Sequence, residues 1–319
     1  MPTSEKIVLL TFLLAIAAIY FIEAALLIGF AIAKVRHKSK SKILLKKPAL
    51  VLHCLALMGI VCFLYARFIG LSRIEVTTIP IQTAKLKAAG FRIVHISDLH
   101  CDKKPRNEER IVELINQLNA DVIVFTGDCL NIASALPLFK STMKDLKAAI
   151  AKFAVKGNFE VFNWKDLDLY SNTGFELLNA KTGPITKNGE TIHISGLSCD
   201  NPAGFKALLR PVPKGDFSVF LYHFSDLIES VEDLNVDLYL SGHTHGGQVA
   251  LPLYGAVITL SKFGKKYESG LYNVNDTILY VNRGIGLEPR PAPQVRFCAR
   301  PEITVFDIGP KNITQGPTE

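Results

Sequence analysis

The stretch Val-Asp-Leu-Tyr-Leu-Ser-Gly-His-Thr-His, residues 236–245, joins an apolar run to two histidines spaced two positions apart. A short apolar run bounded by glycine predicts a buried β-strand. Imidazole groups that directly follow such a strand suit a metal site, because ligands collect at the carboxyl ends of strands in open α/β sheets. The stretch therefore predicts an α/β fold with a metal site at a strand end.

Four further strand-like runs end in the same kind of chemistry. They cover residues 92–97, 122–126, 153–156 and 218–222, and are followed by Asp98 and His100, Gly127-Asp128, Gly157-Asn158, and His223. Gly-Asp or Gly-Asn alone marks many ordinary turns. Five such blocks in one chain instead predict a divalent-metal site, because imidazole and carboxylate groups are delivered repeatedly to strand ends. The pattern indicates a metal-dependent hydrolase.

The five blocks resemble the signature of the calcineurin-like metallophosphoesterases, D-x-H, G-D, G-N-H, H and G-H-x-H, over about half of the chain. The resemblance implies a four-layer α/β/β/α sandwich with two metals. It assigns one metal to Asp98, His100, Asp128 and His245, and the other to Asp128, Asn158, His223 and His243. Asp128 would bridge the metals, and catalytic roles fall to Asp98, Asp128, Asn158 and His243. An oxygen- and nitrogen-rich donor set with one Asn favours Mn²⁺.

The N-terminal region differs from the rest in composition. Residues 1–73 hold ten basic and two acidic residues, whereas the remainder holds 26 basic and 27 acidic residues. Residues 7–33 carry Glu23 as their only charge and exceed the roughly 20 residues that cross a bilayer, while residues 49–66 are near the lower limit. Seven basic residues lie in 34–47. This predicts an N-terminal transmembrane helical hairpin with a basic loop, and the basic charge gives no indication of nucleic acid binding.

A signal peptide is the alternative interpretation of the first segment, but its apolar core is too long and no small-residue cleavage site follows it. We therefore expect three parts: a membrane anchor at 1–73, a catalytic domain at 74–310 and a tail at 311–319. In the catalytic domain, apolar spacing predicts a helix at 107–118, and Pro137 opens a second helix that reaches about residue 150. Asn188-Gly189 predicts a hairpin turn, and late strands are expected at 276–282 and 302–307.

Two features of the sequence give opposite predictions for the side of the membrane on which the catalytic domain lies. The positive-inside rule keeps the basic loop in the cytoplasm and so places the catalytic domain across the membrane. The six cysteines show no C-x-x-C or framework spacing, which favours a reducing compartment. Together with the substrate discussed below, they favour the inner (plasma) membrane with the catalytic domain on the cytoplasmic face.

Phe159 stands where most members of the family have the histidine of G-N-H. That histidine is credited with protonating the leaving oxygen or stabilising the phosphoryl transition state, and a general acid typically contributes about 10²–10⁴-fold. A phosphate leaving group, whose second pKa is near 6, needs no such proton. Phe159 therefore favours a diphosphate bond over an alkyl phosphate ester. The alternative is a degraded, non-catalytic member, but the metal ligands all remain.

The chain also resembles the membrane-associated UDP-2,3-diacylglucosamine pyrophosphatases of the lipid A pathway. That resemblance implies a lipid-linked nucleotide substrate, cleaved to UMP and 2,3-diacylglucosamine 1-phosphate. A broader group of membrane-anchored phosphoesterases shares Gly-His-Thr-His-Gly-Gly-Gln at 242–248 and Arg-Pro-Glu-Ile at 300–303. A phosphodiesterase with another substrate and a non-catalytic scaffold thus remain as alternatives.

Other polar residues have less specific roles. Arg283 with Arg296 or Arg300 is a candidate phosphate clamp, with a surface or ion-pair role as the alternative. Groups near the ligands that could orient them are Asp102, Asn131 and Glu160. His95 and His193 lie within predicted strands and are expected to pack there rather than bind metal.

Overall fold

The structure, a computed structural model, describes residues 2–36 and 46–311. Most of the predicted basic loop and nearly all of the predicted tail lie outside the described residues. The two long N-terminal helices are α1 (Thr3–Val35) and α2 (Lys47–Leu64), and a π-helical turn, Tyr65–Ile69, continues α2. The remaining α-helices of the described residues are α3 (Glu108–Gln117), α4 (Leu136–Asp145), α5 (Asn158–Asn163) and α6 (Phe205–Leu209), and five short 3₁₀ helices lie among the loops.

Fourteen strands are described: β1 (Glu75–Thr83), β2 (Phe91–Ile96), β3 (Val122–Phe125), β4 (Ala151–Ala154), β5 (Glu176–Leu177), β6 (Lys181–Lys187), β7 (Glu190–Leu197), β8 (Phe217–Tyr222), β9 (Leu238–Ser241), β10 (Ala250–Leu251), β11 (Gly255–Ala256), β12 (Gly270–Val274), β13 (Thr277–Val281) and β14 (Glu302–Pro310). The first sheet has the order β1-β14-β2-β3-β4-β5 and the second has the order β12-β13-β9-β8-β7-β6. Strands β2 to β5 are mutually parallel, as are β7, β8, β9 and β13.

The two sheets pack face to face over a shared apolar core. Ile93 and Val124 of the first sheet meet Val219 and Leu240 of the second within this core. The outer face of the first sheet is covered by α3 and α4, and that of the second by α6. This is the predicted four-layer α/β/β/α sandwich, and strands such as β3 and β8 are buried along their whole length because both faces are covered.

The predicted elements have one clear error. Helix α4 ends at Asp145 rather than near residue 150, because Leu146 is already extended and the chain then turns into β4. Backbone bonds from Ala149 and Ile150 to Ala120 and Asp121 hold this turn against the neighbouring strand. The Asn188-Gly189 turn has the positive φ angles that a primed hairpin turn requires.

The N-terminal helices form an antiparallel pair whose surface is apolar. The second apolar segment is longer than expected, since the helical residues Lys47–Ile69 number 23. Only 17% of the most apolar part of this segment is buried. Tyr20 donates a 3.0 Å hydrogen bond to the carbonyl of Ala56, and Glu23 lies 2.8 Å from Nδ1 of His53. Both helices are long and apolar enough to cross a membrane.

Each N-terminal helix contacts the α/β domain at its end. Glu5 is buried, and it accepts a 2.7 Å hydrogen bond from the Thr259 hydroxyl. At the same end of the pair, the backbone N–H of Arg296 donates to the carbonyl of Ala66 at 3.1 Å. Tyr65 packs edge-on against Phe297. Glu5 and Ala66 therefore lie at the same end of the helix pair, beside the α/β domain.

Candidate metal centre

The predicted ligands lie just after the carboxyl ends of five strands, in loops or at the start of a short helix. Asp98 and His100 follow β2, Asp128 follows β3, and Asn158 follows β4 in the first sheet. In the second sheet, His223 follows β8, and His243 and His245 follow β9. Parallel neighbours end at the same edge, so each sheet delivers its ligands to one end of the sandwich.

Unusual backbone angles turn these side chains inward. Five of the ligands have φ between 43° and 70°, namely Asp98, His100, Asp128, His243 and His245. The left-handed region costs roughly 1–2 kcal/mol per non-glycine residue, although Asp, Asn and His tolerate it best. Such strain clusters at functional sites, where surrounding contacts hold it in place. Gly242 permits this crowding, because a Cβ there would collide with the Asp98 carboxylate and the Ser97 hydroxyl.

The ligand atoms form two groups. Within each group they lie no more than 4.8 Å apart: Asp98, His100 and His245 in one, and Asp128, His223 and His243 in the other. Asp128 lies between them, with Oδ2 3.6 Å from His100 Nε2 and 3.3 Å from His223 Nε2. Asn158 Oδ1 is 3.0 Å from His223 Nε2. The structure thus brings all seven predicted ligands together.

The residues fit two divalent cations. Four buried ligand atoms have no hydrogen-bond partner among the described residues: His100 Nε2, Asp128 Oδ2, His243 Nδ1 and His245 Nε2. Buried polar atoms without partners are costly, and here they converge on two points. Carboxylate, amide and imidazole donors are those that Mn²⁺ and related cations accept. Cations at these points would satisfy the unpaired atoms.

The far nitrogen of three histidines fixes the tautomer that metal binding needs. His100 Nδ1 lies 2.8 Å from Asn131 Oδ1, and His223 Nδ1 lies 2.7 Å from the carbonyl of Thr126. His243 Nε2 faces the carbonyl of Leu260 at 3.4 Å. Because an acceptor holds the N–H on the far nitrogen, the near nitrogen presents its lone pair to the site.

His245 departs from this pattern. Its Nδ1 faces a donor, the guanidinium of Arg296, at 3.0 Å. Burial, followed by the positive charge of Arg296, lowers the pKa of His245 well below its usual range. Because a donor faces Nδ1, the N–H of a neutral His245 lies on Nε2, and a cation would have to displace this proton. His245 is therefore a weaker metal ligand than the other three histidines.

Acidic groups in the centre are crowded, and His223 compensates part of their charge. Burial raises the pKa of Asp98 to about 7, with the negative charge of Asp128 adding to the effect. Burial also opposes the charge on His223, but Asp128 overcomes it and raises the pKa of His223 to about 10. Divalent cations would supply the missing positive charge.

Residues around the ligands hold them in place. Glu160 is fully buried and accepts hydrogen bonds from three backbone N–H groups, those of Asp128, Cys129 and Gly157, at 3.0, 2.6 and 2.8 Å. It thereby ties the loop after β3 to the start of α5. Asn131, which orients His100, is itself bonded to Asp102 at 3.3 Å. These contacts give Asp102, Asn131 and Glu160 the orienting positions that the sequence suggested.

Two of the three candidate clamp arginines, Arg283 and Arg296, are engaged by protein atoms. Arg283 Nη2 lies 3.0 Å from both Glu75 and Glu302, which matches the ion-pair alternative. Arg296 is buried, and its guanidinium donates to the carbonyls of Gly286, His245, Arg283 and Ala299. A phosphate clamp would have to break these bonds, so the structure does not support the predicted substrate contacts of Arg283 and Arg296.

The two other histidines lie outside the centre. His95 Nε2 is 2.9 Å from the Thr126 hydroxyl inside the core, and His193 Nε2 is 2.8 Å from Asp216. Phe159, by contrast, borders the centre. Its backbone N–H donates to Asp128 Oδ1 at 2.9 Å, and its ring packs edge-on against His100 with centroids 4.8 Å apart.

Glu288 is at the centre but was not predicted from the sequence. One of its carboxylate oxygens lies within 4.8 Å of the ligand atoms of His100 and Asp128, and 3.5 Å from His245 Nε2. Burial, then the charges of Asp128 and Asp98, raise the pKa of Glu288 to about 8. The signal that could have found it is positional: Glu288 lies in the loop after β13, the parallel neighbour of β9.

Comparison with known proteins places these observations in a family. Residues 91–247 match the family described as calcineurin-like phosphoesterase. The chain is 33% identical over 266 residues to the uncharacterized metallophosphoesterase YkuE of Bacillus subtilis, covering 78% of this chain and 90% of that protein. It is 26% identical over 284 residues to the UDP-2,3-diacylglucosamine pyrophosphatase LpxG of Chlamydia trachomatis, covering 68% and 83%. A transmembrane protein with metallophosphoesterase domain from Danio rerio is 26% identical over 250 residues, covering 71% and 55%.

Proposed function

This chain belongs to the calcineurin-like phosphoesterase family, and on that premise we propose that it hydrolyses the diphosphate bond of UDP-2,3-diacylglucosamine. The products would be UMP and 2,3-diacylglucosamine 1-phosphate, in lipid A biosynthesis. The observation that carries the proposal is the convergence of the seven ligands, five of them buried, on two points beside the ends of two apolar helices.

The chain's own residues hold and orient the centre. Asp98, His100, Asp128 and His245 would bind one cation, and Asp128, Asn158, His223 and His243 the other. Two such cations, which we propose are Mn²⁺, supply Lewis-acid polarisation of a phosphoryl oxygen when bound. Asn131, Thr126 and Leu260 keep three histidines in the tautomer that binds metal.

The surroundings of Phe159 support a good leaving group. Its side chain occupies the edge of the centre beside His100, and it has no proton to donate. A diphosphate bond releases a phosphate, whose second pKa near 6 makes protonation unnecessary. Among the phosphate compounds that this family hydrolyses, a diphosphate is therefore the better substrate than an alkyl monoester.

The position of the centre supports a substrate held in a membrane. Glu5, just before the apolar run of α1, bonds to Thr259, and the adjacent Leu260 carbonyl contacts His243. Ala66, at the end of the second apolar segment, bonds to Arg296, which in turn contacts His245. If both helices cross the bilayer, each of these helix ends is connected to a ligand histidine through no more than two intervening residues. A lipid could then keep its acyl chains in the bilayer while its diphosphate reaches the centre.

The resemblance to LpxG supports the nucleotide-lipid substrate, at 26% identity. We further propose residues 1–73 as the anchor, 74–310 as the catalytic domain and 311–319 as the tail. The site would face the cytoplasm, where a UDP-linked precursor is available.

The orientation has its own test, because a two-span hairpin puts the basic loop and the catalytic domain on opposite sides. Exposed Cys298 is a native reporter of the catalytic side. A membrane-impermeant maleimide should label Cys298 only after the cells are permeabilised. Labelling in intact cells would place the domain outside and remove the cytoplasmic substrate.

The decisive experiment assays the full chain in detergent with Mn²⁺ against UDP-2,3-diacylglucosamine and measures UMP. Asp128→Asn is the matched control for contaminating activity. Release of UMP by the wild type alone supports the proposal. Turnover of a phosphodiester but not of the nucleotide lipid would favour a membrane-anchored phosphodiesterase. Binding of Mn²⁺ without turnover of either would favour a scaffold.

A further inference from the structure

We propose that the Glu288 carboxylate is an additional protein ligand of the metal held by Asp98, His100 and His245. This rests on the dimetal centre of the proposed function and adds a residue that the motif blocks do not contain. The geometric basis is that one oxygen of Glu288 lies within 4.8 Å of the ligand atoms of both His100 and Asp128. The same carboxylate lies 3.5 Å from His245 Nε2.

The atoms that Glu288 faces are the ones left without partners. His100 Nε2, Asp128 Oδ2 and His245 Nε2 are all buried and make no hydrogen bond to another described residue. These three unpaired atoms and the Glu288 carboxylate lie around one point. Such an arrangement is typical of a metal coordination shell rather than of a chain of hydrogen bonds. A cation at that point would contact all four groups.

An ion pair between Glu288 and His245 is the competing explanation. The contact is long for an ion pair, at 3.5 Å, and His245 Nε2 makes no hydrogen bond to another described residue. The carboxylate is therefore better explained by a cation between it and the histidines.

His245 also explains why an extra ligand is useful at this metal. The other three histidines are oriented by an acceptor at the far nitrogen, which raises their basicity. At His245 the far nitrogen faces the donor Arg296 instead. A weak imidazole ligand on this metal is offset by an anionic oxygen from Glu288.

The backbone, rather than the carboxylate, holds Glu288 in position. Its N–H donates to Gln248 Oε1 at 2.6 Å, and its carbonyl accepts from Gln294 Nε2 at 2.8 Å. Replacing Glu288 by Gln should therefore leave the loop intact while it removes the charge. This separates a ligand role from a structural role.

The test is a titration of Mn²⁺ into the full-length, metal-free protein in detergent. Binding is measured by calorimetry and by the electron paramagnetic resonance signal of free Mn²⁺. Wild type should bind two ions. Glu288→Gln should weaken one of the two sites by at least about tenfold, the scale seen even for outer groups around a metal, and leave the other within about twofold. Glu288→Asp, which keeps the charge on a shorter stem, should fall in between.

Glu229→Gln is the matched control, because it removes the same charge from a carboxylate that pairs with Lys266 instead of facing the ligands. It should bind Mn²⁺ like wild type. Thermal unfolding of metal-free Glu288→Gln should match wild type, which shows that the variant is folded. Two unchanged sites in folded Glu288→Gln would overturn the inference alone, whereas failure of the wild type to bind two ions would overturn the dimetal centre itself.

Discussion

The N-terminal helix pair and the α/β domain place their apolar residues in opposite ways. In α1 the most apolar window has none of its residues buried, whereas strands such as β3 and β8 are buried throughout. Large apolar surfaces exposed to water are rare, so the exposed apolar surface of the helix pair suits a lipid environment, whereas the domain encloses its own core. Under the proposed function, the pair fixes the location and the domain carries out the chemistry. The division is incomplete. Ala66 bonds to Arg296, which contacts the ligand His245. Glu5 bonds to Thr259, and the adjacent Leu260 contacts the ligand His243.

The largest effect expected is confined to the domain. Asp128→Asn removes the negative charge shared by two cations, so activity should fall to near background, well beyond the roughly 10–100-fold typical of losing an outer hydrogen-bond partner. Membrane association should be unchanged because the helix pair is untouched. The measurements are turnover at saturating Mn²⁺ and membrane fractionation. Substantial turnover by Asp128→Asn would mean that the centre does not work as a bridged pair.

Removing the helix pair should separate location from chemistry. A chain without residues 1–70 keeps all seven ligands but loses the Glu5 contact, so its kcat on a short-chain substrate should be no more than a few-fold below that of wild type. Its KM for the long-chain lipid should rise by at least about tenfold, because each CH₂ withdrawn from water contributes about 0.8 kcal/mol. Steady-state kinetics on both substrates check this. An unchanged KM for the long-chain lipid would show that the pair only localises the enzyme.

Phe159 tests whether the domain selects the leaving group. Wild type should show a steep dependence of kcat/KM on leaving-group pKa across a series of phosphate esters. Phe159→His should flatten it by raising the rates of poor leaving groups about tenfold or more, since a positioned acid typically contributes about 10²–10⁴-fold. Phe162→His, on the exposed side of α5, is the control for adding an imidazole nearby. A flat profile in wild type would mean that another group already supplies the proton.

The smallest effect expected is at the contact between the two regions. Glu5→Ala removes the acceptor for the Thr259 hydroxyl, and a hydrogen bond to a charged group is worth about 1.5–3 kcal/mol. The loop beside His243 should loosen, which hydrogen exchange of residues 257–263 would report, with a few-fold loss of activity on the lipid. Lys6→Ala, at the exposed neighbouring position, should have no such effect. Equal exchange in both variants would show that the helix pair and the centre are not coupled through Glu5.

Local sequence determined most of the fold. The strands around the centre, the Asn188-Gly189 hairpin and the two apolar helices follow from periodicity and turn chemistry within a few residues, which is information that a local window contains. The end of α4 was misplaced because bonds from Ala149 and Ile150 to a neighbouring strand, rather than propensity, decide where that helix stops. The order of the parallel strands in each sheet was likewise not predictable from short stretches of sequence, because it depends on pairing between distant residues.

The sequence by itself identified the seven candidate ligands, because each follows directly after an apolar strand. Only the tertiary structure brought Glu288 to the same point, since it lies more than forty residues after His245 and belongs to no motif block. The same holds for Arg296, whose place beside His245 depends on the packing of a buried loop. Spacing along the chain records which residues leave a strand together. Which distant loops converge, and so which charges and hydrogen bonds each ligand meets, is decided by how the two sheets pack.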